Sequence, residues 1–220
     1  MPSEIIIRQP EYLLTVRDAF LAFIASRNSD LTPVWENNGT PGTNKIHQLP
    51  LIKKIGVAPE VSSKKIYASG MTYDVTQRTK GAQITNDMVV IPRDIVDKAL
   101  GTTLPTSSMA YSKTNDKGSE FAFGYYMEES KGGLVYYLHP RCQMIEGQAE
   151  FADPGDSDAD PQITKAIEVL PTHEGVWRIR YATADVAEGK VPLTMVEFFG
   201  AMPYTIAQIS ALAATEQAAG

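Results

Sequence analysis

Residues 121–144 read FAFGYYMEESKGGLVYYLHPRCQM. Two runs rich in aromatic and β-branched residues flank Lys131-Gly132-Gly133, and paired runs of this kind around a glycine turn predict a β-hairpin. The doublets Tyr125-Tyr126 and Tyr136-Tyr137 suit stacking on sugars or bases. On a strand, however, one tyrosine of each doublet points inward, which makes them core residues first. His139 and Cys142 stand three apart near the end of the second run. An odd separation on a strand sends them to opposite faces, where they cannot meet as base and nucleophile. Pro140 between them makes the strand irregular and loosens that exclusion.

Working outward, the same strand grammar recurs at 51–61, 65–75, 83–91, 120–128, 134–151, 163–170, 176–186 and 191–199, punctuated by Gly81, Gly118, Pro154-Gly155, Gly175 and Gly189. Helices are few. Leu13, Val16, Phe20, Phe23 and Ile24 recur at helical spacing and predict an amphipathic helix over 10–27, stopped by Asn28-Ser29-Asp30. A turn-rich connector follows at 33–45, with Trp35 as its one large anchor. A short helix is expected after Pro92, with Ile95, Val96, Ala99 and Leu100 on its apolar face and Gly101 as its stop. Another is expected after Pro203, where Ile206, Ile209, Leu212 and Ala213 share a face. No internal repeat is visible. The expectation is a mainly β (α+β) fold, a β-sandwich or barrel with a short flanking helix. It divides into a helical N-terminal arm and connector (1–45), a β-sandwich domain (46–200) and a helical C-terminal tail (201–220). Arms that cannot bury their apolar faces at home imply a neighbour, hence an oligomer.

The chain has 220 residues, of which 43% are hydrophobic and 21% charged, an ordinary globular composition that argues against disorder. Its single cysteine, Cys142, excludes an internal disulfide framework and any CxxC zinc module. No apolar run is long enough for a transmembrane helix. Met1-Pro2-Ser3-Glu4 lacks the basic start of a secretory signal, so a cytoplasmic chain is expected. The sequon Asn38-Gly39-Thr40 then carries no weight. Charge is uneven. Residues 1–110 hold 12 Lys and Arg against 10 Asp and Glu, while 111–220 hold 8 against 16. Tight nucleic-acid binding needs clustered cations on phosphates. The only close basic pairs are Lys53-Lys54 and Lys64-Lys65, with no aromatic interleaving. The balance fits a surface that DNA passes without gripping.

Chemistry-bearing constellations are thin. Besides His139 there are only His47 and His173. Asp156, Asp158 and Asp160 have the alternating oxygens of a calcium loop, but Pro161 stands where that loop needs glycine and Ile167 where it needs a bidentate glutamate. A solvated acidic loop is the simpler reading. Over 145–151, Ile145, Ala149 and Phe151 alternate with Glu146, Gln148 and Glu150. Over 176–183, Trp177, Ile179 and Tyr181 alternate with Arg178 and Arg180. These rows are the wet side of a half-exposed sheet or, if the strands adjoin, one face of a pore. No phosphate loop, dinucleotide fingerprint, nucleophile elbow or zinc-protease motif is present. No enzyme activity, cofactor or metal is expected.

From about residue 46 to 199 the order of parts resembles a known family, the major tail tube proteins of long, non-contractile-tailed bacteriophages. The resemblance is carried by KKIYASGMTYDVTQRTKGAQITNDMVVIP (64–92), RDIVDKALG (93–101), FAFGYYMEESKGGLVYYLHPRCQM (121–144) and the acidic loop with its following strand. It implies a helix-flanked β-sandwich whose six copies join inner sheets into a ring. Rings would stack into a hollow tube of the virion tail, assembled in the host cytoplasm, that conducts double-stranded DNA from capsid to host. Partners would be further copies and the tape measure, tail terminator and tail tip proteins. The stretch matching the loop that reaches the adjacent ring is 67–80, with Tyr67, Tyr73, Asp74, Arg78 and Lys80. The lumen of such tubes is typically acidic, and alternation assigns Glu146, Gln148 and Glu150 to it, tempered by Arg178 and Arg180. Residues 1–45 exceed the family pattern. The competing expectation is a β-sandwich carbohydrate or host-surface binding module of a phage baseplate.

Overall fold

The computed structural model describes residues 13–39, 43–50, 52–68, 71–88, 91–106, 109–130, 132–145, 163–215 and 217–218. Along the chain lie β1 (Leu13–Arg27), β2 (Pro33–Trp35), β3 (His47–Leu49), β4 (Ile52–Ala68) and β5 (Met71–Met88). Next come α1 (Arg93–Leu100), β6 (Thr103–Thr106), β7 (Met109–Tyr111), β8 (Phe121–Glu129) and β9 (Leu134–Ile145). The rest is β10 (Ile163–Val169), β11 (Ile179–Ala182), a 3₁₀ turn (Thr183–Asp185), β12 (Lys190–Val191), α2 (Met195–Ala201), α3 (Ile206–Ala214) and β13 (Gln217–Ala218). The fold is mainly β with short helices, as the strand pattern predicts.

One antiparallel sheet dominates, in the order β2-β1-β8-β9-β10-β5-β4. The 121–144 hairpin lies at its centre, with Tyr125 opposite Tyr137 and Tyr126 opposite Tyr136. β3 bonds to β1 and β4 to β5, yet only Pro50 and residue 51 separate β3 from β4. The sheet therefore rolls until its two ends are joined by continuous chain. Inside the roll, Leu21, Phe23, Ile84, Phe123, Cys142 and Ile167 form one core, closed by Ile95 and Ala99 of α1. The outer face of β1, β8 and β9 carries a second core. There Phe20, Ala22, Tyr136 and Leu138 meet Phe198 and Phe199 of α2, with Ile209 and Leu212 of α3 packed against them.

This double cover corrects the expected N-terminal helix. Residues 13–27 form a strand, paired from Phe23 opposite Phe121 to Leu13 opposite Glu129. Ala19, Leu21 and Phe23 face one core while Phe20 and Ala22 face the other. Where β1 is buried on both sides, from Ala19 to Phe23, the run is apolar without alternation, and such a run contains helical spacings by necessity. The expected strand over 191–199 is also corrected. It is α2, opened by a capping box in which the Thr194 hydroxyl accepts from the Glu197 backbone N–H and the Glu197 carboxylate accepts from Thr194. Such a box satisfies two orphan donors of the first turn. The connector holds β2, and Trp35 packs edge-on against Tyr204 in the outer core. Helices α1 and α3 form where the spacing predicts.

Phe199 reaches the sheet through Gly124 of β8. A Cβ at Gly124 would lie 2.4 Å from the Phe199 ring. That ring stacks on Phe20 with centroids 4.4 Å apart and has no room to retreat. Glycine mid-strand here marks a close approach.

Candidate functional site

The sheet order leaves one part of the molecule without cover. β10 pairs with β5 only from Ile163 opposite Met88 to Val169 opposite Ala82. Beyond that, β4 continues from Val61 to Ala68 and β5 runs back from Met71 to Thr79, paired to each other. Among the described residues no strand adjoins either outer edge. Eight residues of strand span about 25 Å, so a two-stranded ribbon projects by that length. Its root is specified by sequence. A Cβ at Gly81 would sit 2.4 Å from the Val169 carbonyl oxygen, so only glycine lets β10 end there. Lys80 is the extra residue of a β-bulge, since Glu60 pairs with Gly81 and Val61 with Thr79. A bulge bends its strand and raises its twist, which turns the ribbon away from the sheet.

All five residues assigned to the inter-ring stretch lie on this ribbon. Ser62 is opposite Arg78, Ile66 opposite Asp74 and Tyr67 opposite Thr72, with Tyr73 as the extra residue of a second bulge. The expected long loop is thus corrected to two strands. Its described residues Gln77 to Lys80 are polar and exposed, so no apolar alternation marks them as strand. Val61 is 55% exposed, and Ser62, Ser63, Lys64, Gln77, Arg78, Thr79 and Lys80 are all exposed. The ribbon offers main-chain hydrogen bonds along two open edges, the chemistry of strand addition.

A cleft of about 1050 Å³ lies at the ribbon's root, lined by Ser62, Lys64, Arg78, Thr79, Lys80, Pro171 and Gly175. Its far wall is a fixed turn. The Gly175 N–H donates to the Thr172 carbonyl at 3.0 Å, and the Val176 N–H donates to the Thr172 hydroxyl at 3.2 Å. His173 stacks on Tyr204, and the Glu174 carboxylate accepts from the first N–H of α3. A second cleft of about 330 Å³, between α1 and β3, is lined by Phe23, His47, Asp94 and Lys98 among others. Burial is the main cause that lowers the His47 imidazole pKa there, aided by the nearby Lys45 charge.

Glu146, Gln148 and Glu150, and the Asp156, Asp158 and Asp160 loop, lie outside the described residues. Of the two rows expected to face each other, only the arginine row lies among the described residues. β11 pairs with the first half of β9, Ile179 opposite Leu138 and Ala182 opposite Val135. Arg178 lies over Trp177, 4.7 Å from its ring centroid, and Arg180 approaches Asp185 at 3.8 Å.

The parity argument for His139 and Cys142 also fails in an instructive way. Phe121 pairs with Cys142 and Phe123 with His139, so β9 carries an extra residue around Pro140. That bulge brings both side chains to the inner face. They still form no catalytic pair. The thiol donates to the His139 carbonyl at 3.5 Å, and full burial pushes its pKa up. The imidazole Nδ1 contacts the Trp177 carbonyl oxygen at 3.1 Å, and burial lowers its pKa to about 4 despite that bond. Tyr125 and Tyr136 are buried, and burial raises the Tyr125 hydroxyl to about 12. The doublets pack in the core.

Sequence reasoning missed the Glu120 cluster. Its carboxylate accepts from Arg141 at 2.9 Å and from Arg27, whose guanidinium also donates to the Tyr204 hydroxyl at 2.9 Å. Burial alone would raise the Glu120 pKa, but the hydrogen bonds and charges of Arg141 and Arg27 outweigh it and hold the carboxyl low. The cluster ties β1, β8 and β9 to the C-terminal segment, and no local spacing could announce residues so far apart. Among the described residues no group of histidine, cysteine or carboxylate ligands could hold a metal. Among them, too, no helix is long and apolar enough to cross a membrane. No protein-family model matches this chain, and no curated protein matches it either.

Proposed function

We propose that the chain is the structural subunit of a phage tail tube. Six copies close a ring, rings stack, and the bore conducts double-stranded DNA from capsid to host cell. The observation that carries this reading is the projecting β4–β5 ribbon. An isolated two-stranded ribbon is marginally stable, and open edges invite pairing with other chains. Natural proteins blunt such edges, whereas this chain extends them for about 25 Å. A partner strand completes the ladder, and a head-to-tail contact that closes on itself yields a ring.

Charge supports the same reading. The half of the chain from 111 onward carries the acidic excess, and a bore lined by Glu146, Gln148 and Glu150 repels phosphate and lets DNA slide. Tyr67, Tyr73, Asp74, Arg78 and Lys80 then contact the adjacent ring. The subunit works in the virion tail beside the tape measure, terminator and tip proteins, and requires no cofactor. A carbohydrate module would need accessible tyrosine doublets, and Tyr125 and Tyr136 are buried.

Electron microscopy of the concentrated protein and of virions from its source tests the proposal. Six-fold rings or hollow tubes are expected, and excision of 67–80 should leave soluble subunits that do not stack. A protein that stays monomeric and is missing from the tail would overturn it.

A further inference from the structure

The cleft at the ribbon's root presents three cations. Lys64, Arg78 and Lys80 are exposed, and among the described residues none has an acidic partner. The ligand chemistry the cleft selects is therefore a short, carboxylate-rich strand or loop. The sequence contains one. Residues 151–162 read FADPGDSDADPQ, with Asp153, Asp156, Asp158 and Asp160 and no lysine or arginine.

The register fixes where this run leaves the sheet. It begins after Ile145, opposite Ala166, and ends before Ile163, opposite Met88. The cleft lies past the other end of β10, where Val169 meets Ala82. The seven residues of β10 alone separate the two ends by about 20 Å. The 17 residues from 146 to 162 leave and return at the same end. Even fully extended, their apex reaches no more than about 28 Å, so folding back into the chain's own cleft would demand a taut loop. A second copy is under no such limit of chain length.

We propose that the basic cleft of Lys64, Arg78 and Lys80 is a docking site for the acidic run 153–160 of a second copy of this chain. The docking deepens the tube reading and rests on it, naming the residues through which successive copies recognise each other. Opposite charges at opposite ends give the stack a polarity, because like ends repel.

A labelled peptide of residues 151–162 added to the intact protein, followed by fluorescence anisotropy, tests the docking without requiring assembly. Saturable binding is expected, weakened about tenfold or more between 0.1 M and 1 M salt as the screening length falls from about 10 Å to about 3 Å. The triple variant Lys64→Glu, Arg78→Glu, Lys80→Glu should lose it, and so should a peptide with all four aspartates changed to asparagine. Because these cations are exposed, the variant is expected to fold, and circular dichroism checks this. In the full chain, Asp→Lys changes at 153, 156, 158 and 160 should restore association to the triple variant. Absent or charge-insensitive binding overturns the docking. The two proposals fail separately. Tubes that form from the triple variant refute the docking and leave the tube reading intact. Charge-dependent peptide binding by a protein that never forms rings or enters a tail supports the docking and refutes the tube.

Discussion

The centre of the sheet and the β4–β5 ribbon are built from the same element with opposite surroundings. β1, β8 and β9 are covered on both faces, by the inner core with α1 and by α2 and α3 outside. At the ribbon's root, Val61 to Lys64 of β4 and Gln77 to Lys80 of β5 are exposed on both faces. In the first region side-chain burial holds the strands and the backbone ladder follows. In the second the backbone ladder holds the pair, and the described side chains at its root lie in solvent. The contrast separates strands held by side-chain burial from strands held by their backbone ladder.

The largest effect belongs to the centre. Phe123→Ala, at a fully buried position, should cost about 3–5 kcal/mol, read as a lowered urea midpoint. A change under about 1 kcal/mol would mean that the inner core is loosely packed. Next comes pH. His139 is buried with its Nε2 unpartnered, and its pKa falls from 6.5 to about 4 on folding. The unfolded chain takes up this proton below pH 6.5 and the folded chain does not. This contribution is therefore present above pH 6.5 and lost as pH falls towards 4, to a total of about 3 kcal/mol. Urea titrations across that range should show the slope, and His139→Phe should flatten it. Gly124→Ala forces a methyl onto the Phe199 ring and should cost about 1–3 kcal/mol, whereas an unchanged midpoint would mean that α2 can slide. The smallest effect is on the ribbon, where Val61→Ser should move stability by less than about 0.5 kcal/mol. A larger loss there would show that the ribbon is braced within its own chain.

The same contrast explains what the sequence makes legible. The 121–144 hairpin is readable because a glycine turn divides two apolar runs, and α1 because Pro92 and Gly101 bracket it. β1 is misread because burial on both faces erases the two-residue period that marks a strand. The ribbon's root is unmarked for the reverse reason, since exposure of Ser62 to Lys64 and of Gln77 to Lys80 erases the period too. α2 did leave a local signal, Thr194 and Glu197 at capping-box spacing, hidden behind a run that also suits a strand. The cleft brings together residues from 62 to 175, and the Glu120 cluster spans β1 to the C-terminal segment. Only the sheet order makes such neighbours. Periodicity reports burial on one side; it has little to say about strands buried on two sides or on none.

The pairing of β1 with β8 also sets a timetable. Arg17 and Glu128, which clasp across these strands, are 111 positions apart. At about 5–20 residues per second, a ribosome takes roughly 5–20 s to deliver the partner strand after β1 emerges. During that interval the most apolar strand of the molecule has no sheet to join, and contacts of such long range make for slow folding. The chain thus spends its first seconds with β1 uncovered. Timely capture of that strand by β8, or by a chaperone beforehand, governs how much of each synthesis run becomes folded protein.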